Sequence, residues 1–361
     1  MKSITSRQFI FITLFLMLST KVLTIHPLVF EYAGKDAFWS ILFGMFIDLL
    51  MLVLVVILLK RNKDTTFFKL LKKTFGCVIA KILLVILFVF ITLKSIFLYQ
   101  ETYSFFLQIL YTEIPPFMYV VPALFVTGYF AVKGIKTISR TMEVFAVFIL
   151  IGMLVCASTA LNGSGLENIT PFFENGIEPS LNGLLYQMFY RGNAVILLCF
   201  MGKIDFSKHF DLKLYLFTII MSLLIVGISL LFYMVYGPSV KYVEFTLADL
   251  PQYDPFVSDL GRFNWLSVVV CTVALFLTSS TFLYCLAQIG RWIFGFKRSI
   301  IPTSISLLII IVIAFINQFS LVVMDEKVTN EWLWTTLGIL GLYLIICIIL
   351  LCVRRKKWTK H

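Results

Sequence analysis

Charged residues are scarce in this chain. Asp, Glu, Lys and Arg make up 14% of its 361 residues, against 60% hydrophobic residues, and the mean hydropathy is +0.98. A soluble domain of this length needs considerably more charge to cover its surface, so the composition excludes one. We expect instead an integral membrane protein.

Residues suited to catalysis or metal binding are also few. The chain has three histidines and seven cysteines. The histidines stand at the edges of apolar stretches or in the tail, without metal-ligand spacing to a cysteine or carboxylate, and no Cys-x-x-Cys pair occurs. No glycine loop of the phosphate-binding type is present, because Gly163, Ser164 and Gly165 read as an outer turn. The sequence therefore predicts no enzyme, no cofactor and no metal site.

Ten apolar stretches are long enough to cross a bilayer as helices, which takes roughly 20 residues each. None alternates like a barrel strand, and helices satisfy their own backbone groups in lipid. The predicted spans are approximately residues 7–30, 37–59, 78–106, 117–132, 141–161, 183–201, 214–237, 263–289, 300–319 and 332–353. No small-x-small cleavage site follows the first stretch, so we interpret it as a retained helix.

Positive charge is distributed unevenly over the loops. Of the 30 Lys and Arg, about 22 fall on one set of alternate loops, including Lys203, Lys208 and Lys213 after the sixth span. Basic loops stay cytoplasmic, so with ten spans both termini are expected there. We interpret the net charge of +11 as a property of these basic loops, which the anionic lipids of the inner leaflet attract. The expected partner is therefore the lipid bilayer, and no nucleic acid.

The chain divides into two sets of five spans, 7–161 and 183–353, within one transmembrane domain of residues 1–361. Outer loops are expected at 162–182 and 238–262. Because five is odd, the second set begins on the opposite side of the membrane, which is the arithmetic of an inverted repeat. The first helix of each set carries a polar interruption, where such folds bind ligand. The interrupting residues are Ser19, Thr20, Lys21 and Thr24 in the first set, and Arg191, Gly192 and Asn193 in the second.

One more helix is predicted outside the spans, over residues 64–75. Phe67, Phe68, Leu71 and Phe75 recur there at helical spacing with lysines between them. The pattern is typical of a helix lying on the cytoplasmic membrane surface, and a solvated connector is the alternative.

Ionisable residues inside the spans need partners, because an unpaired cation at mid-bilayer is unfavourable by at least about 2.5–3.5 kcal/mol. Lys21 is a candidate for ligand binding, for a structural ion pair with Asp48, or for both. Asp48, near the middle of helix 2, is expected to pair with Lys21 or Arg191. Lys94 and Glu101 are seven residues apart on helix 3, where they balance each other or bond neighbouring helices.

Several polar side chains are candidate ligand contacts. The Arg191 guanidinium suits a carboxylate, although it could instead extend toward the outer surface. Tyr99 and Tyr103 share one face of helix 3 and predict either a pocket wall or part of the outer aromatic belt. Ser280 and Tyr284 belong to a hydroxyl-rich run of helix 8, and ordinary hydrogen bonding between helices is the alternative there.

Four short motifs occur in order along the chain. They are Ile-Thr-Ser-Arg-Gln-Phe at 4–9, Ala-Gly-Lys-Asp-Ala-Phe-Trp at 33–39, Pro-Phe-Phe-Glu-Asn-Gly-Ile-Glu-Pro at 171–179 and Leu-Gly-Arg-Phe at 260–263. In these motifs, in span count and in length, the chain resembles the B subunit of bacterial spore germinant receptors, in the amino acid–polyamine–organocation superfamily.

The resemblance implies an all-α, LeuT-like bundle in the spore inner membrane. It also implies a small germinant, often an amino acid, and partner A and C subunits, the latter a lipoprotein. One departure concerns helix 1, where transporter relatives usually have a glycine-rich break and this chain has Ser19, Thr20 and Lys21. That departure argues against ordinary ion-coupled transport.

Two functions therefore stand as hypotheses. The first is a germinant-sensing subunit that binds its ligand in the membrane core and signals to its partners. The second is a secondary transporter of amino acids or amines coupled to protons or sodium, with Asp48 or Glu101 carrying the proton. A scaffold that binds nothing is a third possibility.

Overall fold

The computed structural model describes residues 4–18, 21, 25–110, 116–161, 165–174, 176–243, 245–250, 264–296, 300–316 and 326–358. These residues are almost entirely helical. The α-helices are α1 Ser6–Leu18, α2 Ile25–Ala33, α3 Ala37–Arg61, α4 Phe67–Phe75, α5 Cys77–Leu110, α6 Pro116–Lys133, α7 Ile135–Thr159, α8 Glu178–Tyr186, α9 Phe210–Tyr236, α10 Thr246–Asp249, α11 Asn264–Phe294, α12 Ile300–Ile316 and α13 Glu326–Trp358. The 3-10 segments are Gly34–Asp36, Leu166–Asn168, Gln187–Tyr190, Asn193–Phe200 and Gly237–Tyr242.

The predicted spans correspond to these helices in order. Within the described residues, six helical stretches are long and apolar enough to cross a membrane: Ile25–Arg61, Cys77–Leu107, Ile135–Thr159, Phe210–Tyr242, Trp265–Phe294 and Leu333–Cys352. The first, fourth and ninth predicted spans contain shorter apolar helices: Ser6–Met17, Val121–Lys133 and Ile300–Ile311. The sixth is a broken helix. The prediction of an all-α integral membrane protein is confirmed.

The long helix α11 forms the centre of the bundle. It contacts α5, α6, α7 and α12, and it is the most buried of the six long stretches. On the periphery, α7 and α9 expose large apolar side chains such as Phe148 and Leu223. A helix that is apolar all round and carries such a surface is suited to contact with lipid.

A short parallel strand pair departs from the all-helical expectation. Strand β1 (Ile4–Thr5) pairs with β2 (Ile204–Asp205), and the Ser6 hydroxyl donates to the Asp205 carbonyl over 2.6 Å. The amide of Ser207 in turn donates to the Ser6 hydroxyl oxygen over 2.6 Å. The N-terminal segment is thereby attached to the chain that follows the broken helix. The sequence does not predict this pair, because a strand of two residues is too short to show an alternating pattern and its partner lies about 200 residues away.

Helix α4 lies within residues 64–75, for which the sequence predicts a surface helix. Thr66 caps it by accepting a hydrogen bond from the Lys69 amide, and Gly76 ends it with φ of +87°, a value that favours glycine. Phe67 and Leu71 are buried while the lysines of the helix are exposed. The helix is thus amphipathic, and its position on the membrane surface stays a prediction.

Candidate ligand site at the broken helices

The first interruption separates α1 from α2. Helix α1 ends at Leu18 and α2 begins at Ile25, and Lys21 between them is fully buried. Thr20 and Thr24, both predicted ligand contacts, lie outside the described residues.

The second interruption is described in full. After α8 and the 3-10 segment Gln187–Tyr190, Arg191 is extended and Gly192 is left-handed, with φ of +82°. A Cβ atom on Gly192 would overlap Cδ2 of Leu340, so both backbone conformation and space require glycine here. Arg191 and Gly192 therefore separate two helical segments that belong to the same predicted span.

Asp48 of α3 connects the two interruptions. Its carboxylate forms an ion pair with the Lys21 ammonium and accepts a hydrogen bond of 2.9 Å from Arg191 Nη1. Its other oxygen accepts the Gly192 amide over 3.3 Å. The side chains of all three charged residues are at most 3% exposed. The sequence offers Lys21 and Arg191 as alternative partners of Asp48, and the structure brings both to it.

The Arg191 guanidinium is held from several directions. Its Nη2 donates to the Ile41 carbonyl over 3.2 Å and to the Gln187 side-chain oxygen, while Gln187 donates to the Ser40 carbonyl. The guanidinium lies against Gly44, where an added Cβ would be 2.5 Å from Nη2. The alternative in which Arg191 extends to the outer surface is wrong, because the side chain is directed into the bundle against α3.

Lys94 of α5 stabilises the backbone at the break. Its ammonium donates to the carbonyl of Phe189 and, over 3.1 Å, to that of Arg191. The Phe189 carbonyl lies just before the irregular residues and the Arg191 carbonyl within them, where regular helical bonding is interrupted. Of the two alternatives for Lys94, the structure shows a bond to a neighbouring segment. Glu101 is buried further along the same helix.

Asn193 joins the second interruption to the first. Its side-chain nitrogen donates to the Leu16 carbonyl over 2.6 Å, near the end of α1. Together with Lys21 and Asp48, this bond brings the two broken helices into one buried polar cluster. We use the name central cluster for Lys21, Asp48, Lys94, Arg191 and Asn193.

The two tyrosines of α5 are buried further along that helix. Tyr99 and Tyr103 are 3% and 4% exposed, so an outer aromatic belt in contact with headgroups does not describe them. The Tyr99 hydroxyl is 2.6 Å from Thr127 Oγ1, and the Tyr103 ring lies 6.1 Å from that of Tyr119. Both are thus directed toward α6, and their contact with a ligand stays a prediction.

The two candidates on α11 have protein partners. The Ser280 hydroxyl donates to the Phe276 carbonyl of its own helix over 2.7 Å. Tyr284 accepts a hydrogen bond of 2.8 Å from Lys203, whose ammonium also donates to Gln288 over 2.9 Å. Neither observation tests ligand binding.

Lys203 itself is a residue that sequence reasoning misplaces. The charge pattern predicts that it faces the inner leaflet with the other loop cations, but it is 6% exposed. Burial lowers the pKa of Lys203 to about 8. The tyrosine and glutamine that receive its hydrogen bonds lie one turn apart on α11, and their spacing in the sequence does not identify Lys203 as the donor.

A separate apolar cavity lies away from the central cluster. It lies between α1, α7, α9 and α11 and is partly open to its surroundings. Its walls include Phe15, Met153, Ile225 and Cys271. The charged side chains of the central cluster bond to one another or to backbone carbonyls instead of lining this cavity.

The fold and the two interruptions define a class. A helical membrane bundle with broken helices meeting in its interior is a LeuT-like, permease-like protein. A solved mutant form of the manganese transporter of Eremococcus coleocola matches 96% of this chain and 78% of its own with a TM-score of 0.65 at 12% identity. That likeness concerns the fold alone. Among the described residues, no group of three His, Cys, Asp or Glu side chains is arranged to hold a metal ion.

The family follows from the sequence comparison. Residues 3–320 match the spore germination protein family of permeases, and the chain belongs to that family. Spore germination protein XB of Bacillus anthracis is 23% identical over 279 residues, which cover 74% of this chain and 78% of that protein. The predicted kinship with germinant receptor B subunits and the predicted membrane location are confirmed.

Proposed function

We propose that this chain is the germinant-sensing subunit of a spore germination receptor. In this proposal it binds a small germinant, an amino acid, between the broken helices and passes the change to A and C subunits in the spore inner membrane. The observation that supports it most directly is the single carboxylate of Asp48 bonded to both Lys21 and Arg191. Lys21 and Arg191 are cations that could bind a ligand carboxylate, and the Asp48 carboxylate is bonded to both of them in this structure.

Binding would proceed by exchange at Arg191. A guanidinium holds one carboxylate by two parallel hydrogen bonds, and here only Nη1 serves Asp48. An incoming ligand carboxylate would take that bond and leave Asp48 paired with Lys21. The irregular backbone at Gly192 and the side chain of Asn193 would supply the remaining polar contacts, and Tyr99 and Tyr103 a largely apolar wall.

The exchange would alter the contact between α3 and the broken helices. Asp48 holds both interruptions to α3, so losing one of its bonds favours an arrangement in which the helix-6 segments move relative to α3. A ligand shifts such an equilibrium only by its difference in affinity between the two arrangements. Partner subunits would read this shift.

A binding assay on reconstituted protein tests the proposal. Radiolabelled amino acids are screened against proteoliposomes containing the native chain and an Arg191→Lys variant, which keeps the charge but loses the two-bond geometry. We expect specific binding by the native chain and an affinity at least about tenfold weaker for the variant. Arg140→Lys, on an exposed arginine, is the matched control and should bind normally. The proposal would be contradicted if the native chain bound no amino acid, or if Arg191→Lys bound as tightly as Arg140→Lys and the native chain.

Transport is the second candidate, and membership of a permease family favours it. Asp48 or Glu101 would then carry a coupling proton. Uptake into the same proteoliposomes, driven by an imposed proton or sodium gradient and lost in Asp48→Asn, would support transport. Specific binding without flux would support sensing.

A further inference from the structure

The segment that joins α3 to α5, expected on the cytoplasmic side, carries an excess of positive charge. Residues 60–81 contain seven Lys and Arg against one acid, Asp64. Lys60 is paired with Asp211 of α9. The other cations of this stretch are all exposed; they are Arg61, Lys63, Lys69, Lys72, Lys73 and Lys81. Three of them, Lys69, Lys72 and Lys73, share the exposed side of α4.

An exposed apolar surface lies directly beside these cations. Gly76 turns the chain from α4 into α5, whose first turns expose Val78, Ile79 and Ile82 by 73%, 50% and 54%. Lys81 is exposed among them. Because apolar side chains of this kind belong in hydrocarbon, the adjoining ammonium groups lie at the level of the lipid headgroups.

We infer that α4 and the first turns of α5 form a binding site for the headgroup of an anionic phospholipid. The phosphate would lie between the α4 lysines and Lys81, and the acyl chains against Val78 and Ile82. The argument rests on charge complementarity, since the cytoplasmic leaflet is the anionic surface available to this side of the protein. A zwitterionic lipid has no net charge with which to satisfy so many cations.

The same segment contacts the inner half of the broken helix. Helix α4 packs against α5 and the 3-10 segment Asn193–Phe200, with Phe67 and Leu71 fully buried. The loop before α4 packs against Gly202, two residues after the 3-10 segment, since a Cβ on Gly202 would lie 2.8 Å from the Thr65 carbonyl oxygen. A lipid that holds α4 against the membrane therefore stabilises the packed position of this 3-10 segment. The site is thus a regulatory one, coupled to the interruption at Gly192.

A lipid-preference measurement tests the site. Native mass spectrometry counts anionic phosphatidylglycerol against phosphatidylcholine retained by the native chain and by a K69Q/K72Q/K73Q variant. Each lysine removed is expected to weaken the preference for the anionic lipid about 5-fold, equivalent to about 1 kcal/mol. The matched control is K133Q/K136Q/R140Q, which removes three cations around the turn between α6 and α7, expected on the same face of the membrane. A preference unchanged in the α4 variant, or reduced equally in both variants, would overturn the assignment.

The coupling has its own reporter. Cys199 is buried within the 3-10 segment, so its alkylation rate measures opening of that segment. In a chain that keeps Cys199 as its single cysteine, phosphatidylglycerol should slow alkylation relative to phosphatidylcholine, and the α4 variant should lose this difference while the control variant keeps it. Equal rates in the two lipids would refute the coupling. No germinant is present in either experiment, so the outcome is independent of amino acid binding.

Discussion

Replacing Gly44 by alanine perturbs the central cluster without changing any of its charged residues. A Cβ at this position would lie 2.5 Å from Nη2, 2.7 Å from Cζ and 2.7 Å from Nε of Arg191. Real Cβ atoms do not approach other atoms so closely, so either the guanidinium or α3 must move. The guanidinium is not the free end of a flexible side chain, because Asp48, Ile41 and Gln187 all accept hydrogen bonds from it.

The expected loss of stability depends on which contacts are disturbed when the guanidinium or α3 moves. Overpacking of a buried site typically destabilises by about 1–3 kcal/mol. If the guanidinium also loses Asp48, a hydrogen bond between charged groups worth roughly 1.5–3 kcal/mol is lost in addition. With both effects we therefore expect Gly44→Ala to reduce the free energy of unfolding by about 2.5–6 kcal/mol. Amino acid affinity should fall as well, because Arg191 is displaced.

The assay is thermal unfolding in detergent, followed by ligand binding in proteoliposomes. Gly227→Ala on α9 is the matched control, since a Cβ there meets nothing within 4 Å. In a helix interior that change should be neutral or stabilising by about 0.5–1 kcal/mol. The effect of Gly44→Ala should shrink in an Arg191→Met background, because residues in contact are not additive. Equal stability of the two glycine variants, or an unchanged effect in the Met background, would refute the reasoning.

The remaining predictions concern the bonds at the interruptions. Asp48→Asn leaves two buried cations without their carboxylate and should destabilise by about 3–5 kcal/mol, seen as a lower melting temperature; a variant as stable as the native chain would show that the ion pairs contribute nothing. Lys94→Met removes the donor to two carbonyls at the break and should destabilise by about 1–3 kcal/mol, with faster hydrogen exchange confined to residues 189–193 as its signature. Exchange unchanged there would contradict the role assigned to Lys94. Gly192→Ala combines a positive φ with an overlap with Leu340 and should abolish accumulation of folded protein; normal yield would mean that the break is not rigid.

Much of the site is visible in the sequence because ionisable residues are conspicuous in apolar helices. Lys21, Asp48 and Arg191 stand out for that reason, and the sequence narrows the partners of Asp48 to the two that the structure joins to it. The sequence does not predict that Lys94 points toward the break, because its acceptors are backbone carbonyls, which every residue has. Gln187 is missed altogether, because a single glutamine in a helix has many ordinary explanations.

Lys203 illustrates the opposite error. A lysine shortly after an apolar stretch is usually at the membrane surface, so the charge pattern assigns it to the leaflet. Its burial depends on Tyr284 and Gln288, which come from a helix 81 and 85 residues later in the chain. The strand pair between residues 4–5 and 204–205 is missed for the same reason, since its partners lie far apart in the chain.

Hydrophobicity in the sequence is enough to establish the helices and their order, and the placement of Lys and Arg predicts which loops are cytoplasmic. These properties follow from transfer of each segment between water and lipid, which depends on local composition. Which charges meet, where the guanidinium of Arg191 is held, and how α4 reaches the inner half of the broken helix depend on the packing of segments far apart in the chain. Such contacts arise from shape and distance after the helices assemble, so they become visible only with the folded structure.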